Sequence, residues 1–450
     1  MVRSTRIISR LAAGLLLLLG TIVPVQAVGG GTKATYVWQT GCPYSTVSAN
    51  IYGPADFCDT GQTTEPGFEA VWPIAGNFQN LAITLSGSPG TGSTVVYTIR
   101  VNESPSGLTC SIVAPATSCS DTSNKAAIAA GDRVSIHFNR TVTGTPASAS
   151  PHIAVEFDST TLGASTNSSS GIQANTGATF YAPIFGYCTN CTAATTTALV
   201  IAPVATAGTV TSMYILQSAA PGASKTFTYT LVKNGTPQDG TGGTVNTVVA
   251  LTGTGSCPSG ANCHGNTSFS LSVVAGDTLY VQGVPTSAPA ATKFSVGLAF
   301  AATATGQFNF CGSQNGNDSA SATRYTMAQN LSAPNATEAN RYATFGPNSY
   351  TFGKMQLRAA AAPGVGTTRT LNFRVNSGGT TPSVTLSGAS QTTGSDLVNT
   401  VTVTSGQTIG VRDVPASTPA ATTHTWCFAG QAGTVLIEAG GYPALWTVEP

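Results

Sequence analysis

Apolar residues in this chain recur at every second position. Val134-Ser135-Ile136-His137-Phe138, Leu279-Tyr280-Val281-Gln282-Gly283-Val284 and Thr408-Ile409-Gly410-Val411-Arg412 alternate apolar side chains with polar ones or glycine. That period belongs to a half-buried strand, with one face toward a core and the other toward solvent. Gly, Pro, Ser and Asn interrupt the alternation at intervals of roughly 8–12 residues, a spacing that points to sandwiches or barrels. Nothing reads as a long amphipathic helix. The 50 glycines and 25 prolines follow no three-residue period, so they mark turns and not a collagen.

The alternation is written three times. Val95-Val96-Tyr97-Thr98-Ile99-Arg100-Val101-Asn102, Thr226-Phe227-Thr228-Tyr229-Thr230-Leu231-Val232-Lys233-Asn234 and Thr370-Leu371-Asn372-Phe373-Arg374-Val375-Asn376 each follow a Pro-Gly turn (Pro89-Gly90, Pro221-Gly222, Pro363-Gly364). Each precedes a second strand opening with Gly131-Asp132, Gly276-Asp277 or Gly406-Gln407. The shared asparagines lie 132 and 142 residues apart, so the unit is a domain and not a solenoid rung of about 20–50 residues. Each copy reads as a first strand (Tyr36-Val37-Trp38, Thr179-Phe180-Tyr181, Phe308-Asn309-Phe310) and a second around Leu81-Ala82-Ile83, Met213-Tyr214-Ile215 or Met355-Gln356-Leu357. The Asn strand, the Gly-Asp strand and a closing strand (Ile153–Phe157, Phe294–Leu298, Thr425–Phe428) follow. With first and closing strands paired, this describes an all-β chain of three tandem antiparallel β-sandwiches of jelly-roll type. The expected repeats are residues 28–160, 178–300 and 307–450, joined by a flexible Ser/Thr/Gly-rich linker at 161–177 and a short one at 301–306.

The Pro-Gly turn, the Tyr-Thr-x-x-x-Asn strand and the Gly-Asp strand together resemble tandem repeat domains of secreted bacterial and phage-associated proteins. Their architecture is similar to the C1q/tumour-necrosis-factor jelly roll. The third copy departs from the pattern, with Leu371-Asn372 for Tyr-Thr and Gln407 for Asp. The resemblance implies self-association or an intrachain pseudo-trimer, and carries over no catalytic residue.

The first 27 residues read as a signal peptide. Arg3, Arg6 and Arg10 precede an apolar run over 11–23, and Pro24-Val25-Gln26-Ala27 supplies a cleavage site. The run is too short to span a bilayer, which takes about 20 residues, so the expected location is extracellular or at the cell surface, with no membrane span. Only 8% of residues are charged and the formal net charge is +1. With 18 Lys+Arg in 450 residues, no domain can present the basic face that binding nucleic acid needs.

Ten cysteines in a secreted chain imply five disulfides. Spacing suggests local pairs Cys42–Cys58, Cys110–Cys119, Cys188–Cys191 and Cys257–Cys263. Cys311 and Cys427 remain, on the first and closing strands of the third copy. Cys188-Thr189-Asn190-Cys191 lacks the second ligand pair of a zinc site and the βαβ setting of a redox motif, so a structural cystine is expected. Asp132 and Asp277 open strands, where an Asp side chain caps its own turn. His137, His152, His264 and His424 are scattered, and no hydrolase or nucleotide-binding motif occurs. No catalytic, cofactor or metal residues are expected. Of the four tryptophans, Trp38 and Trp426 lie in strands and read as core, whereas Trp72 and Trp446 lie in loop-like surroundings and are the candidate ligand contacts. The expected role is a non-catalytic structural or adhesive surface protein. A carbohydrate-binding protein using loop aromatics is the alternative, and a secreted hydrolase comes third. A cell-surface polymer or carbohydrate is the expected partner.

Overall fold

The structure is a computed structural model, and it describes residues 33–39, 49–54, 65, 69–160, 164–187, 193–194, 200–252, 262–314, 316–346, 348–379 and 381–433. It is all-β. Among the described residues six sheets form, and each draws its strands from one of three successive stretches of chain.

In the first stretch Lys33–Gln39 pairs with Pro151–Ser159, which pairs with Gly76–Leu85. The facing sheet runs Ala49–Pro54, Arg133–Val142, Ser93–Val101 and Ser104–Val113, with Ala70–Val71 also on Arg133–Val142. The other stretches repeat this order. Lys293–Ala302 lies between Ala164–Gln173 and Gly208–Gln217, and His424–Ala432 between Gln307–Gln314 and Tyr350–Ala359. The facing sheets centre on Thr226–Lys233 with Thr278–Thr286, and on Gly364–Val375 with Thr408–Ala416. Inward residues of both sheets fill the layer between them, as the burial alternation of Ser93–Val101 shows: Val95, Tyr97 and Ile99 are buried while Val96, Thr98 and Arg100 are half-buried.

Two expectations are corrected here. The segment 161–177 is not a plain linker, because Ala164–Gln173 is a strand running antiparallel to Lys293–Ala302. It takes the place of the first strand in the second stretch. Phe180–Ala182, which overlaps the expected first strand Thr179-Phe180-Tyr181, pairs instead with Thr278–Thr286 in the opposite sheet. A Ser/Thr/Asn-rich run carries no apolar alternation to announce it. A ladder hydrogen-bonds through backbone groups, so the open edge of Lys293–Ala302 can accept a strand of almost any composition. The connection to the third stretch is as short as expected, with residues 303–306 joining Lys293–Ala302 to Gln307–Gln314.

The three closing strands lose the one-sided pattern. Pro151–Ser159, Lys293–Ala302 and His424–Ala432 are buried on both faces over most of their length. One face meets its own sandwich core. The other is covered by a short strand from another stretch: Ala70–Val71 packs on Lys293–Ala302, Ala202–Pro203 on His424–Ala432, and Ala343–Thr344 on Pro151–Ser159. The three covering strands are equivalent, since each pairs with the Gly-Asp (or Gly-Gln) strand of its own stretch. The contacts therefore run first onto second, second onto third and third onto first.

Candidate functional site

The residues shared by the three copies make turns. Asn102, Asn234 and Asn376 all sit at φ 50°, a left-handed conformation that asparagine tolerates because its short side chain can bond locally. Asn102 Oδ1 accepts from the backbone N–H of Arg133 at 2.9 Å, and Asn102 Nδ2 donates to Asp132 Oδ1 at 2.8 Å. Asn234 does the same with Thr278 N–H at 2.8 Å and Asp277 at 2.7 Å. Asp132 and Asp277 each take a further backbone N–H, from Ala129 and Val274. In the third copy Asn376 accepts from Thr408 N–H, and Gln407 takes the N–H of Thr404. Burial works to raise the Asp277 carboxyl, but the bonds from Asn234 and Val274 outweigh it and hold the carboxyl below its ordinary range. The Gly-Asp pairs are turn chemistry. The Pro-Gly turns are likewise structural: Pro89, Pro221 and Pro363 carbonyls accept from Ala147, Ala290 and Ala420 N–H. Gly90, Gly222 and Gly364 take φ of 91°, 101° and 113°, which a side chain would strain.

Trp72 is a correction. It is fully buried and meets Tyr36, Phe78 and Phe157 with ring centroids 5.2, 4.6 and 5.1 Å away, so its face is closed to a ligand. Its backbone bonds to Asp132 and Gly131 just as Val204 bonds to Asp277 and Gly276, and Phe345 to Gln407 and Gly406. Trp72, Val204 and Phe345 thus hold one core position, which a three-way alignment of these segments could have revealed. Trp446 lies outside the described residues, as do Cys42, Cys58, Cys188, Cys191 and Cys257. Trp426 is core, its Nε1 donating to Ala328 O at 2.9 Å. Two of the expected disulfides are in place, Cys110–Cys119 and Cys311–Cys427, and the second joins directly opposed residues of neighbouring strands. Cys263 is also disulfide-bonded.

Two ionisable groupings escaped sequence reasoning. The first lies inside the third stretch. Asp318, Asp413 and His424 come from a loop and two strands of opposite sheets, yet one ligand-type atom of each lies within 4.8 Å of the others. His424 Nδ1 is 2.8 Å from Asp318 Oδ2, the Gln314 amide donates to the same oxygen, and Arg369 donates to Asp413 Oδ2. Arg369 also reaches the carbonyls of Ser319 and Ala420 at 2.9 Å. All four ionisable side chains are buried. Burial first, then the charge of Asp318, pushes the Asp413 carboxyl up to about 8 against the pull of Arg369. Burial pushes the His424 imidazole down. The donor set is the type a divalent cation uses, but Arg369 and Gln314 already bond Asp413 and Asp318, so the guanidinium supplies the positive charge. The cluster acts as a buried tie between a loop, the third Pro-Gly turn region and the closing strand.

The second grouping sits where the third stretch covers the first. Glu156 is buried and accepts from Gln79 at 2.6 Å and Asn80 at 3.2 Å of its own stretch. From the third stretch it accepts from Tyr350 OH at 2.6 Å and from Asn348. Lys33 Nζ lies 3.5 Å away. Burial raises the Glu156 carboxyl, and these donors more than reverse it. His152 is buried, stacks on Tyr342 with centroids 5.5 Å apart, and is pushed down to about 4 by burial. The other two junctions use small neutral groups at matching positions. Ser295 Oγ accepts from Val71 N–H at 3.3 Å, and Thr425 Oγ1 donates to Ile201 O at 2.9 Å.

No protein-family model and no curated protein matches the chain. Among the described residues no helix is long and apolar enough to cross a membrane.

Proposed function

We propose that this chain is a secreted structural or adhesive surface protein in which three jelly-roll-type sandwich domains close into an intrachain pseudo-trimer. The observation that carries this reading is the cyclic contact pattern, in which equivalent short strands cover the closing strands of the next stretch and the third returns to the first. A head-to-tail interface that closes on itself makes a ring. Further support comes from the small residues Ala154, Gly297 and Cys427, which occupy one matching position on the closing strands, opposite Ala82, Tyr214 and Gln356 of their neighbours. A Cβ at Gly297 would stand 2.5 Å from the carbonyl oxygen of Val71. The ionisable residues also serve internal ties: Arg100 with Glu65, Arg133 with Glu69 and Glu103, and Arg374 with Glu338. Such a body would present three related faces to a polymeric envelope and gain from simultaneous contacts.

The test uses the full mature protein. Retention on insoluble envelope polysaccharide should be multivalent, with free short oligosaccharide competing poorly, and no glycan or peptide substrate should turn over. Efficient competition by one short oligosaccharide would indicate a single dedicated site, and turnover would refute the reading.

A further inference from the structure

The three junctions of the ring are not alike. The first-to-second and second-to-third junctions join stretches connected directly along the chain, and their matching polar groups are hydroxyls: Ser295 and Thr425. The third-to-first junction joins stretches separated by the whole second one. It carries the titratable side chains His152, Glu156 and Tyr350. Ala343–Thr344 covers Pro151–Ser159 here, and Gly346 lies against Ala154. The His152 ring faces Tyr342 and, across the ladder, Thr84; apart from a hydrogen bond to the Tyr342 backbone, burial alone shifts it, with no charged side chain contributing. Glu156 faces Tyr350 and Asn348 from the third stretch and Lys33, Gln79 and Asn80 from its own.

We infer that this closing junction is an exchangeable joint, opened by acid, whose two halves also pair between chains, so that residues 342–350 of one copy dock on Pro151–Ser159 of a second copy. The inference rests on the ring reading above. The occupant is a second copy because the junction is head-to-tail: an opened chain exposes one half at each end, and each half complements the other end of an identical chain. A head-to-tail contact that does not close on itself propagates, which gives linear multimers suited to a surface layer.

The direction of the acid effect follows from the two groups. His152 titrates near 4 when closed, against an ordinary value of 6.5, so the open form binds protons more readily as the pH falls from 6.5 toward 4. Glu156 is held below 4.5 when closed, so falling pH also removes its bonds with Tyr350 and Asn348. Both favour opening in acid.

Cysteine trapping tests the joint. A Cβ built at Gly346 stands 3.6 Å from Ala154 Cβ, within the Cβ separation a disulfide spans, about 3.5–4.5 Å. The double variant Ala154→Cys/Gly346→Cys should close an intramolecular disulfide at neutral pH. If it does not, the ring reading itself fails. Two single variants, Ala154→Cys and Gly346→Cys, are then mixed, held at pH 3.5 and returned to neutral. A covalent heterodimer should accumulate on non-reducing gels, at least tenfold above a mixture kept at pH 7.5. It should fall several-fold when both chains also carry His152→Ser, the residue type at the matching position of the second stretch. Intramolecular closure of the double variant with no heterodimer from the singles overturns the exchange joint and leaves the ring standing. Heterodimer yield unchanged by His152→Ser overturns His152 as the acid trigger, and yield equal at pH 3.5 and 7.5 overturns acid opening altogether.

Discussion

At the scale of single residues, the three asparagines show what repetition selects. Asn234 holds a left-handed backbone and two side-chain bonds at once, so Asn234→Ala should cost about 2–3 kcal/mol. The check is a lower denaturant midpoint at unchanged slope. Alanine there with no shift would show that the clamp is ornamental. Arg369 is the opposite case, unique to one copy. It donates to Asp413 and to the carbonyls of Ser319 and Ala420 in a fully buried setting, and Arg369→Met would leave those acceptors unpaired. A loss of about 3–5 kcal/mol is expected, larger than for Arg100→Met, because the Arg100 side chain keeps 14% exposure beside Glu65. Thermal melts of the two variants side by side decide the order.

At the scale of elements, the two visible disulfides close loops of very different length. Cys110–Cys119 spans a separation of 9 and Cys311–Cys427 one of 116. The chain-entropy account gives roughly 2–3 kcal/mol for the short loop and about 5 for the long one. Paired replacement by alanine should therefore destabilise far more for Cys311/Cys427, and urea titration measures the difference. Strand identity was largely legible at this scale. The Asn and Gly-Asp strands could be read because one face is buried and the other is not, which leaves period-two alternation in the residues. Ala164–Gln173 could not be read, since it is held by backbone pairing to an existing edge.

At the scale of the whole molecule, buried titratable groups make stability depend on pH in opposing directions. His152 is held neutral at about 4 against an ordinary 6.5, so its own contribution falls as pH drops through that window, by up to about 3 kcal/mol. Glu69 and Asp413 act the other way, held protonated and titrating at about 7 and about 8 when folded. Burial leads both shifts. Their contribution is complete below their unfolded values and is lost as pH rises through the folded ones. Melting temperature measured from pH 3 to 9 should fall toward pH 9, Glu69→Gln should lessen that fall, and His152→Ser should change the profile only below about pH 6.5. A profile rising steadily to pH 9 would contradict the placement of Glu69 and Asp413.

The sequence by itself determined the all-β class and the turn chemistry of the Gly-Asp pairs, and, once first and closing strands are taken to pair, the bridge between Cys311 and Cys427. The first two are local or periodic properties: an alternation forced by one buried face, and a short side chain that bonds its own turn. The tertiary structure alone decided that Trp72 is core, that Asp318, Asp413 and His424 meet, and that the closing strands are covered on their second face. Each depends on which segment returns from far along the chain to lie against another. No residue spacing encodes that, because Glu156 and Tyr350 stand 194 positions apart and are joined only by folding.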